Sequence, residues 1–371
     1  MIDESILKAE EKAVYNLRSL YARYGYQPYK MSKFEEYDLY ARNKDFLVSD
    51  GIISFTDTNG KLMALKPDVT LSILKNSKDV PHCTQRVYYN ENVYRISGDT
   101  HQFKEIMQTG LECIGIIDFF NTTEVLKLAA RSLETLSPNY VLEISHMGIL
   151  NALLEEEDAG DRFNEEITSC LDEKNPHELS RICRKYQVSD TLREKLLEFV
   201  HIYGERHQVL RDLDAFCDTV PLIAAKEELQ RISDVFDETP YSDKVRFDFS
   251  LVNDMKYYNG IVFQGFIAGI PEVVLTGGQY DRLLSRMGRK SSGLGFAIYL
   301  DLLDYLHQDP RDYDVDVVVL YNDDTQREAL EKAVEGLRSE GETVSVQREI
   351  PGHLNFRKLM NFNGEEIVPY E

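Results

Sequence analysis

The chain has 371 residues, enough for two or three domains each with its own core, and its 43% hydrophobic and 29% charged content is that of a globular protein. A formal net charge of −22 argues against a protein whose main task is gripping a phosphate backbone, because that binding draws on a basic face and counterion release. The balance fits a cytoplasmic protein that meets other proteins or small molecules, and it equally serves plain solubility. Cys83, Cys113, Cys170, Cys183 and Cys217 form no CxxC pair and match no zinc spacing, so they read as reduced thiols, mostly buried. No apolar run approaches a membrane span and the N-terminus MIDESILKAEEK lacks a signal-peptide core, so no membrane contact is expected.

The spacing of Ile6, Val14, Leu17, Tyr21 and Tyr24 predicts a helix over roughly 4–24, ended by Gly25. YGYQPYKM then starts a strand, with Pro28 suited to an edge or an interface. RVYYNENVYRISGDTHQFKEIMQTGLECIG, 86–115, reads as strand, polar loop and strand. Side chains repeat every second residue on a strand, so Gln108 and Glu112 share a face, and with Arg95 the hairpin presents an arginine, an amide and a carboxylate to one surface. A helix is expected near Asn121, capped by that side chain, with Val125, Leu126, Ala129, Leu133 and Leu136 facing inward. VLEISHMGIL, 141–150, returns as a strand.

From about Leu154 the texture becomes highly charged, and 155–239 reads as a helical insertion between two sheet strands. VRFDFSLV, 245–252, and MKYYNGIVFQGF, 255–266, resume the alternating pattern. In LTGGQYDRLLSRMGRKSSGLGFAIYLDLL, 275–303, the run from Gly277 to Gly295 allows close backbone approach. HQDPRDYD, 307–314, is the linker candidate. Beyond it, VDVVVLY is a strand suited to burial on both faces, Thr325 and Glu328 form a capping box, Gly341 ends the helix, and TVSVQR is a second strand. The expected organisation is a body of 1–306, a linker of 307–314 and a small α/β domain of 315–371.

Other features carry little. His82, His101 and His146 form no metal pattern, and the acidic run Glu155–Asp158 is a solvated loop or helix start. GLGFA lacks the G-x-G-x-x-G spacing and follows no βαβ start, and no nucleophile-plus-base arrangement is visible. No cofactor and no metal are expected.

Taken together and in order, the 86–115 hairpin, YYNG, GGQYD with GLGFAIYLDLL, and TDTNGKLMALKPDVT (56–70) resemble the histidyl-tRNA synthetase branch of the class II synthetases, over roughly residues 10–360. The resemblance implies an α+β fold: a class II synthetase-like antiparallel sheet flanked by helices, a helical insertion, and a truncated C-terminal domain like the family's anticodon-binding domain. It implies a homodimer built in part on the first helix and strand, which otherwise read as a plain core helix and its neighbour. It implies that Asp68, Thr70 and Gln108 hold the amino group of histidine, that Glu112 and Tyr257 partner its ring nitrogens, that Tyr258 forms a wall, and that Arg95 is available for the carboxylate. Asp68 stands where the family has a glutamate, a shorter reach. Taken singly, each of these residues also suits a structural role.

Departures from the pattern concern ATP. Activation needs cations on the phosphates to stabilise charge in the transition state. Arg95 is retained, but Ser97 replaces the glutamate that places adenine, and the loop carries His101 and Gln102 and is short of the family's arginines. Leu302 stands at the γ-phosphate arginine and Asn253 at the histidine-specific arginine. Each lost charged donor costs about 3–4 kcal/mol, or roughly 100- to 1000-fold in rate.

A synthetase body without those cations, with its histidine pocket mostly kept, is similar to the regulatory subunits of ATP phosphoribosyltransferase, the first enzyme of histidine biosynthesis. That likeness implies a non-catalytic chain that activates a short catalytic subunit, takes part in feedback inhibition with L-histidine as effector, and works as a homodimer within a hetero-oligomer, without tRNA. Two readings stay open beside it. A divergent histidyl-tRNA synthetase or histidine-activating ligase needs Arg282, Arg286 or Arg289 to replace the lost cations, and a synthetase-like RNA-binding module has to contend with the acidic charge.

Overall fold

The computed structural model describes residues 7–47, 51–79, 83–97, 101–157, 159–252, 257–306, 313–322 and 326–370. The chain divides into two compact units, Met1–Leu306 and His307–Glu371.

The first unit opens with helix α1 (Ala9–Arg23) and the short strand β1 (Gln27–Pro28). Glu11 accepts the Lys8 amide at 2.9 Å across the first turn, Leu17 and Tyr21 are fully buried, and Gly25 leaves the helix at φ +79°, a conformation L side chains resist. A three-stranded sheet follows, β2 (Phe34–Glu36), β3 (Ser54–Thr56) and β4 (Leu62–Leu65), in the order β2-β4-β3, with α2 (Tyr37–Arg42) after β2 and α3 (Thr70–Asn76) after β4. The long hairpin is β5 (Gln85–Ile96) and β6 (Phe103–Gly115). Then come α4 (Phe119–Leu136), β7 (Tyr140–His146), α5 (Met147–Glu155), α6 (Asp161–Asp172), α7 (Pro176–Tyr186), α8 (Asp190–Phe199), β8 (Tyr203–Glu205), α9 (Arg206–Asp212) and α10 (Val220–Asp237). The unit closes with β9 (Val245–Asp248), β10 (Ile261–Ile267), β11 (Leu275–Gln279), α11 (Asp281–Arg286), β12 (Ser292–Tyr299) and a short 3-10 turn, Leu300–Tyr305.

Among the described residues, nine strands form one sheet, ordered β1-β5-β6-β12-β11-β10-β7-β9-β8. It is antiparallel through its middle, with parallel pairs at β1/β5 and β7/β9. Pro28 sits on the edge strand, where its missing N–H costs no ladder bond. Alternation along the hairpin feeds two cores. Tyr88, Leu111 and Cys113 join Leu17, Tyr21, Leu126 and Leu133 on the face covered by α1 and α4, while Val87, Tyr89, Val93 and Ile114 join Tyr40, Ala64, Leu71 and Leu283 on the other. The Tyr21 hydroxyl meets Ser132 Oγ at 3.0 Å, locking α1 onto α4.

Four elements differ from the sequence expectation. The cap of α4 is Asp118, whose carboxylate accepts the Asn121 amide at 2.9 Å; Asn121 lies inside the first turn and accepts from Arg86 at 3.0 Å. A carboxylate there satisfies an orphan amide and also suits the positive helix end. VLEISHMGIL is half strand and half helix, because His146 ends β7 and its Nδ1 caps α5 through the Gly148 amide at 3.0 Å. A short apolar run cannot declare its period by itself. β9 stops at Asp248, whose carboxylate takes the Ser250 amide at 2.8 Å and hydroxyl at 2.6 Å in a tight turn. Tyr257 and Tyr258 precede β10 and are not part of it.

The region of α5 to α10 also contains β8, which returns to pair with β9 as the last strand of the sheet. Buried Arg206 ties α9 to α10 by donating to Ser233 Oγ at 3.1 Å and Asp237 at 2.7 Å.

The second unit contains β13 (Val315–Leu320), α12 (Arg327–Ser339), β14 (Val344–Gln347), β15 (Phe356–Phe362) and β16 (Ile367–Pro369), in the sheet order β14-β13-β15-β16. β13 runs parallel to both neighbours, and Val317, Val318 and Val319 are all buried. Leu330 and Val334 of α12 pack on Val317, Val319 and Phe362. Helix α12 starts after Gln326 and ends before Gly341, at φ +91°. The expected cap Thr325 and most of the expected linker lie outside the described residues.

Candidate functional site

On the face of the large sheet opposite α1 and α4 lies a cavity of about 270 Å³. That is just below the roughly 300–1,000 Å³ of drug-sized sites, a volume suited to an amino acid. Its lining brings together all seven residues singled out from the sequence: Asp68, Thr70, Arg95, Gln108, Glu112, Tyr257 and Tyr258. They come from the start of α3, from β5, from β6 and from the approach to β10.

Glu112 sits at the centre of a hydroxyl clamp. Thr70 Oγ1 donates to its Oε1 at 2.6 Å and the Tyr280 hydroxyl donates to its Oε2 at 2.5 Å. The carboxyl is 2% exposed, and burial pushes its pKa up to about 8 against the opposing pull of the two hydroxyls, with Asp68 adding to the rise. Asp68 holds the first turn of α3 by accepting the Leu71 amide at 2.8 Å. Burial raises its pKa too, countered by that amide and then by Arg95. Arg95 Nε donates to the Pro67 carbonyl at 3.1 Å, and it is the one Lys or Arg among the described residues lining the cavity. Gln108 is 3% exposed and its Nε2 has no hydrogen-bond partner among the described residues. A buried unmet donor costs about 1–3 kcal/mol, so the cavity floor is set to receive an acceptor.

The wall is aromatic. Tyr257 and Tyr258 meet edge to face at 4.7 Å between centroids, and Tyr257 continues to Tyr280 at 6.0 Å and Phe46 at 6.2 Å. Burial holds the Tyr257 and Tyr280 hydroxyls well above the usual phenol range, so both stay protonated. Two glycines make the close packing possible. The β6/β12 register sets Glu112 opposite Gly295, where a Cβ would run into Glu112 Oε2 and come within 2.5 Å of the Leu111 carbonyl. At Gly278 a Cβ would lie 2.6 Å from the Tyr258 ring.

The structure adds residues that the sequence reading left out of the site: Tyr89, Gln264, Thr276, Tyr280 and Tyr299 also line the cavity. Tyr89 was open to inference, because it lies an even number of residues from Arg95 on one strand and so shares its face. Tyr280 belongs to the GGQYD motif, yet no spacing rule puts it against a residue 168 positions earlier.

Of the positions that depart from the family's ATP-binding pattern, those described do not line the cavity. Leu302 is buried in the main core, and Ser97, His101 and Gln102 close the hairpin turn away from the cavity lining. Asn253 is outside the described residues. Arg289 is engaged by Asp79 at 2.7 Å and by Ser77 Oγ at 2.6 Å, and Arg286 reaches the Arg42 carbonyl at 3.4 Å; neither they nor Arg282 line the cavity. Among the described residues no three His, Cys, Asp or Glu side chains converge as metal ligands, and no helix is long and apolar enough to cross a membrane.

The ATP phosphoribosyltransferase regulatory subunit of Oceanobacillus iheyensis is 26% identical over 350 residues, covering 93% of this chain and 85% of that protein. A crystal structure of an ATP phosphoribosyltransferase regulatory subunit/histidyl-tRNA synthetase from Bacillus halodurans superposes with a TM-score of 0.76 at 23% identity, over 95% of this chain and 93% of the other. An ATP phosphoribosyl transferase (HisG:HisZ) complex from Thermotoga maritima gives a TM-score of 0.62 at 20% identity, over 78% and 97%. These likenesses establish a class II synthetase-like α+β fold. Residues 2–303 match the sequence model of the histidyl-tRNA synthetase family, and this chain belongs to that family.

Proposed function

We propose that this chain is a non-catalytic regulatory subunit of ATP phosphoribosyltransferase, which activates a short catalytic subunit and takes part in feedback inhibition by histidine. One observation carries the reading. The seven residues expected to hold an amino acid line one cavity, whereas Arg95 is the one cation among its described lining residues, too few to steady the phosphates of ATP. Relatives named as regulatory subunits along most of their length support it.

In this reading the ammonium group of L-histidine meets Asp68, with Thr70 and the Gln108 carbonyl oxygen beside it. Arg95 and the unmet Gln108 amide take the carboxylate, Glu112 and Tyr257 take the ring nitrogens, and Tyr258 closes the wall. The chain works as a homodimer within a hetero-oligomer. Residues 155–239 act as a helical insertion in a synthetase-like body of 1–306, and 315–371 is an anticodon-binding-like domain that reads no tRNA. Histidine in the cavity couples to the partner's active site, and by linkage the partner's substrates change histidine affinity by the same factor.

The test is phosphoribosyl-ATP formation by the short catalytic subunit from the same source, with and without this chain. Activation that histidine then suppresses supports the reading. Indifference rejects it, and histidine-dependent ATP–pyrophosphate exchange by the chain alone would restore the ligase reading.

A further inference from the structure

Glu112 is unusual in what surrounds it. From the start of α3 it faces Asp68 and Thr70, from β5 Tyr89, from the approach to β10 Tyr257 and from the cap of α11 Tyr280, while Cys113, next on its own strand, points into the core on the other face. Gly295 of β12 contributes no side chain. None of these groups is a cation. Arg95 pairs with Lys104 whereas Glu112 pairs with Val87, so the arginine stands at the far end of the cavity. Both carboxyl oxygens nevertheless already have hydroxyls at hydrogen-bond distance, at 2.6 and 2.5 Å. A carboxylate formed here would be met at once by two donors, but among the described residues lining the cavity no cation stands beside it to balance its charge.

We propose that Tyr280 is a positioning residue that, with Thr70, holds Glu112 as a proton donor, and that the cavity therefore selects a neutral nitrogen base which takes that proton as it binds. This inference rests on the histidine-binding reading above and adds the protonation state and the residue that sets it. On binding, the lone pair of the imidazole nitrogen forms a new N–H bond, the Glu112 O–H bond breaks, and the carboxylate keeps the Thr70 and Tyr280 hydrogen bonds. The imidazolium and the carboxylate remain as a buried pair, and no proton leaves the site. Burial that raises Glu112 to about 8 keeps the acid form loaded at neutral pH, and because the free ring is ordinarily the weaker base, it is the two hydroxyl donors and the pairing of the new imidazolium with the carboxylate that draw the proton across.

Proton balance gives the test. Calorimetry of the full chain with L-histidine at about pH 5.5, 7 and 8.5, each in two buffers of different ionisation enthalpy, counts protons exchanged with solvent. The expected result is release of a proton at the acid end, near-zero exchange at neutrality, uptake at the alkaline end, and tightest binding in the middle. Tyr280→Phe removes one donor to the carboxylate, so binding weakens roughly ten- to 100-fold and the alkaline limb moves to higher pH. Glu112→Gln abolishes the alkaline limb, and 1,2,4-triazole-3-alanine, the same shape but a far weaker base, binds poorly to the wild type. Release of a whole proton at neutral pH overturns the inference while leaving histidine binding intact, and an alkaline limb unmoved by Tyr280→Phe removes Tyr280 from it. Absence of any binding heat at all three pH values overturns the reading beneath it as well.

Discussion

Lys66 Nζ and Glu91 Oε2 lie 2.8 Å apart, and the lysine side chain is wholly buried while the glutamate keeps 14% exposure. This pair joins the segment that carries Asp68 and Thr70 to strand β5 of the hairpin. The backbone repeats the link, since the Tyr94 amide donates to the Lys66 carbonyl at 2.8 Å, while the Lys66 amide ties the same segment to the residue before β2 through the Lys33 carbonyl at 3.0 Å. Burial pulls the Lys66 pKa down and Glu91 pushes it back up, so the ammonium depends on its partner. Glu91→Ala is expected to cost about 3–5 kcal/mol, because it leaves a buried charge unpaired, whereas Lys66→Met with Glu91→Leu recovers most of that loss. Urea unfolding of the three proteins checks it; a single mutant as stable as wild type would show the pair to be ornamental.

Gly295→Ala should empty the site of function without unfolding the chain. The added methyl group meets the Glu112 carboxyl and the Leu111 carbonyl, so the clamp must open or β12 must shift. Histidine affinity should fall at least tenfold while far-ultraviolet circular dichroism stays unchanged. Affinity within twofold of wild type would place the ligand away from Glu112.

Arg95 and the ligand carboxylate can be tested with a ligand that lacks the group. Arg95→Ala should weaken L-histidine binding by roughly ten- to 100-fold, the range for a lost charge-assisted hydrogen bond, and leave histamine almost unaffected. Equal losses for both ligands would mean that Arg95 supports the fold of the cavity through its bond to Pro67 and does not touch the carboxylate.

The buried carboxyl also predicts how stability changes with pH in the absence of ligand. Folded Glu112 holds its proton up to about 8, against an unfolded value of 4.5, so between those limits the native state binds more protons than the unfolded chain. Stability from this group is therefore complete below the lower value and is lost as pH rises through the upper one. Thermal melts of wild type and Glu112→Gln at several pH values isolate it from other carboxyls. The variant should gain on the wild type steadily as pH rises, and a constant difference between the two would contradict the assignment.

Much of the site was legible before folding was considered. Gln108 and Glu112 share a face because side chains alternate on a strand, and Pro28 marks an edge because it lacks an N–H. These are local rules, and they held over β5, β6 and β1. They failed where two local answers compete. Asn121 and Asp118 are both good caps, and the choice fell to Asp118 because the Asn121 side chain is engaged by Arg86 from another strand. VLEISHMGIL suits strand or helix, and the turn at His146 decided between them.

By itself, then, the sequence determined the order of motifs, the polar face of the hairpin and the apolar faces that cover the large sheet, all properties of residues near one another along the chain. Only the tertiary structure decided that Thr70 and Tyr280 clamp Glu112, that Gly295 makes room for it, and that Arg286 and Arg289 are spent on Arg42 and Asp79 away from the cavity. The physical reason is range. Strand and helix periods are set by backbone geometry over a few residues, whereas the pKa of a buried carboxyl is set by whatever groups packing brings within a few ångströms, from however far along the chain.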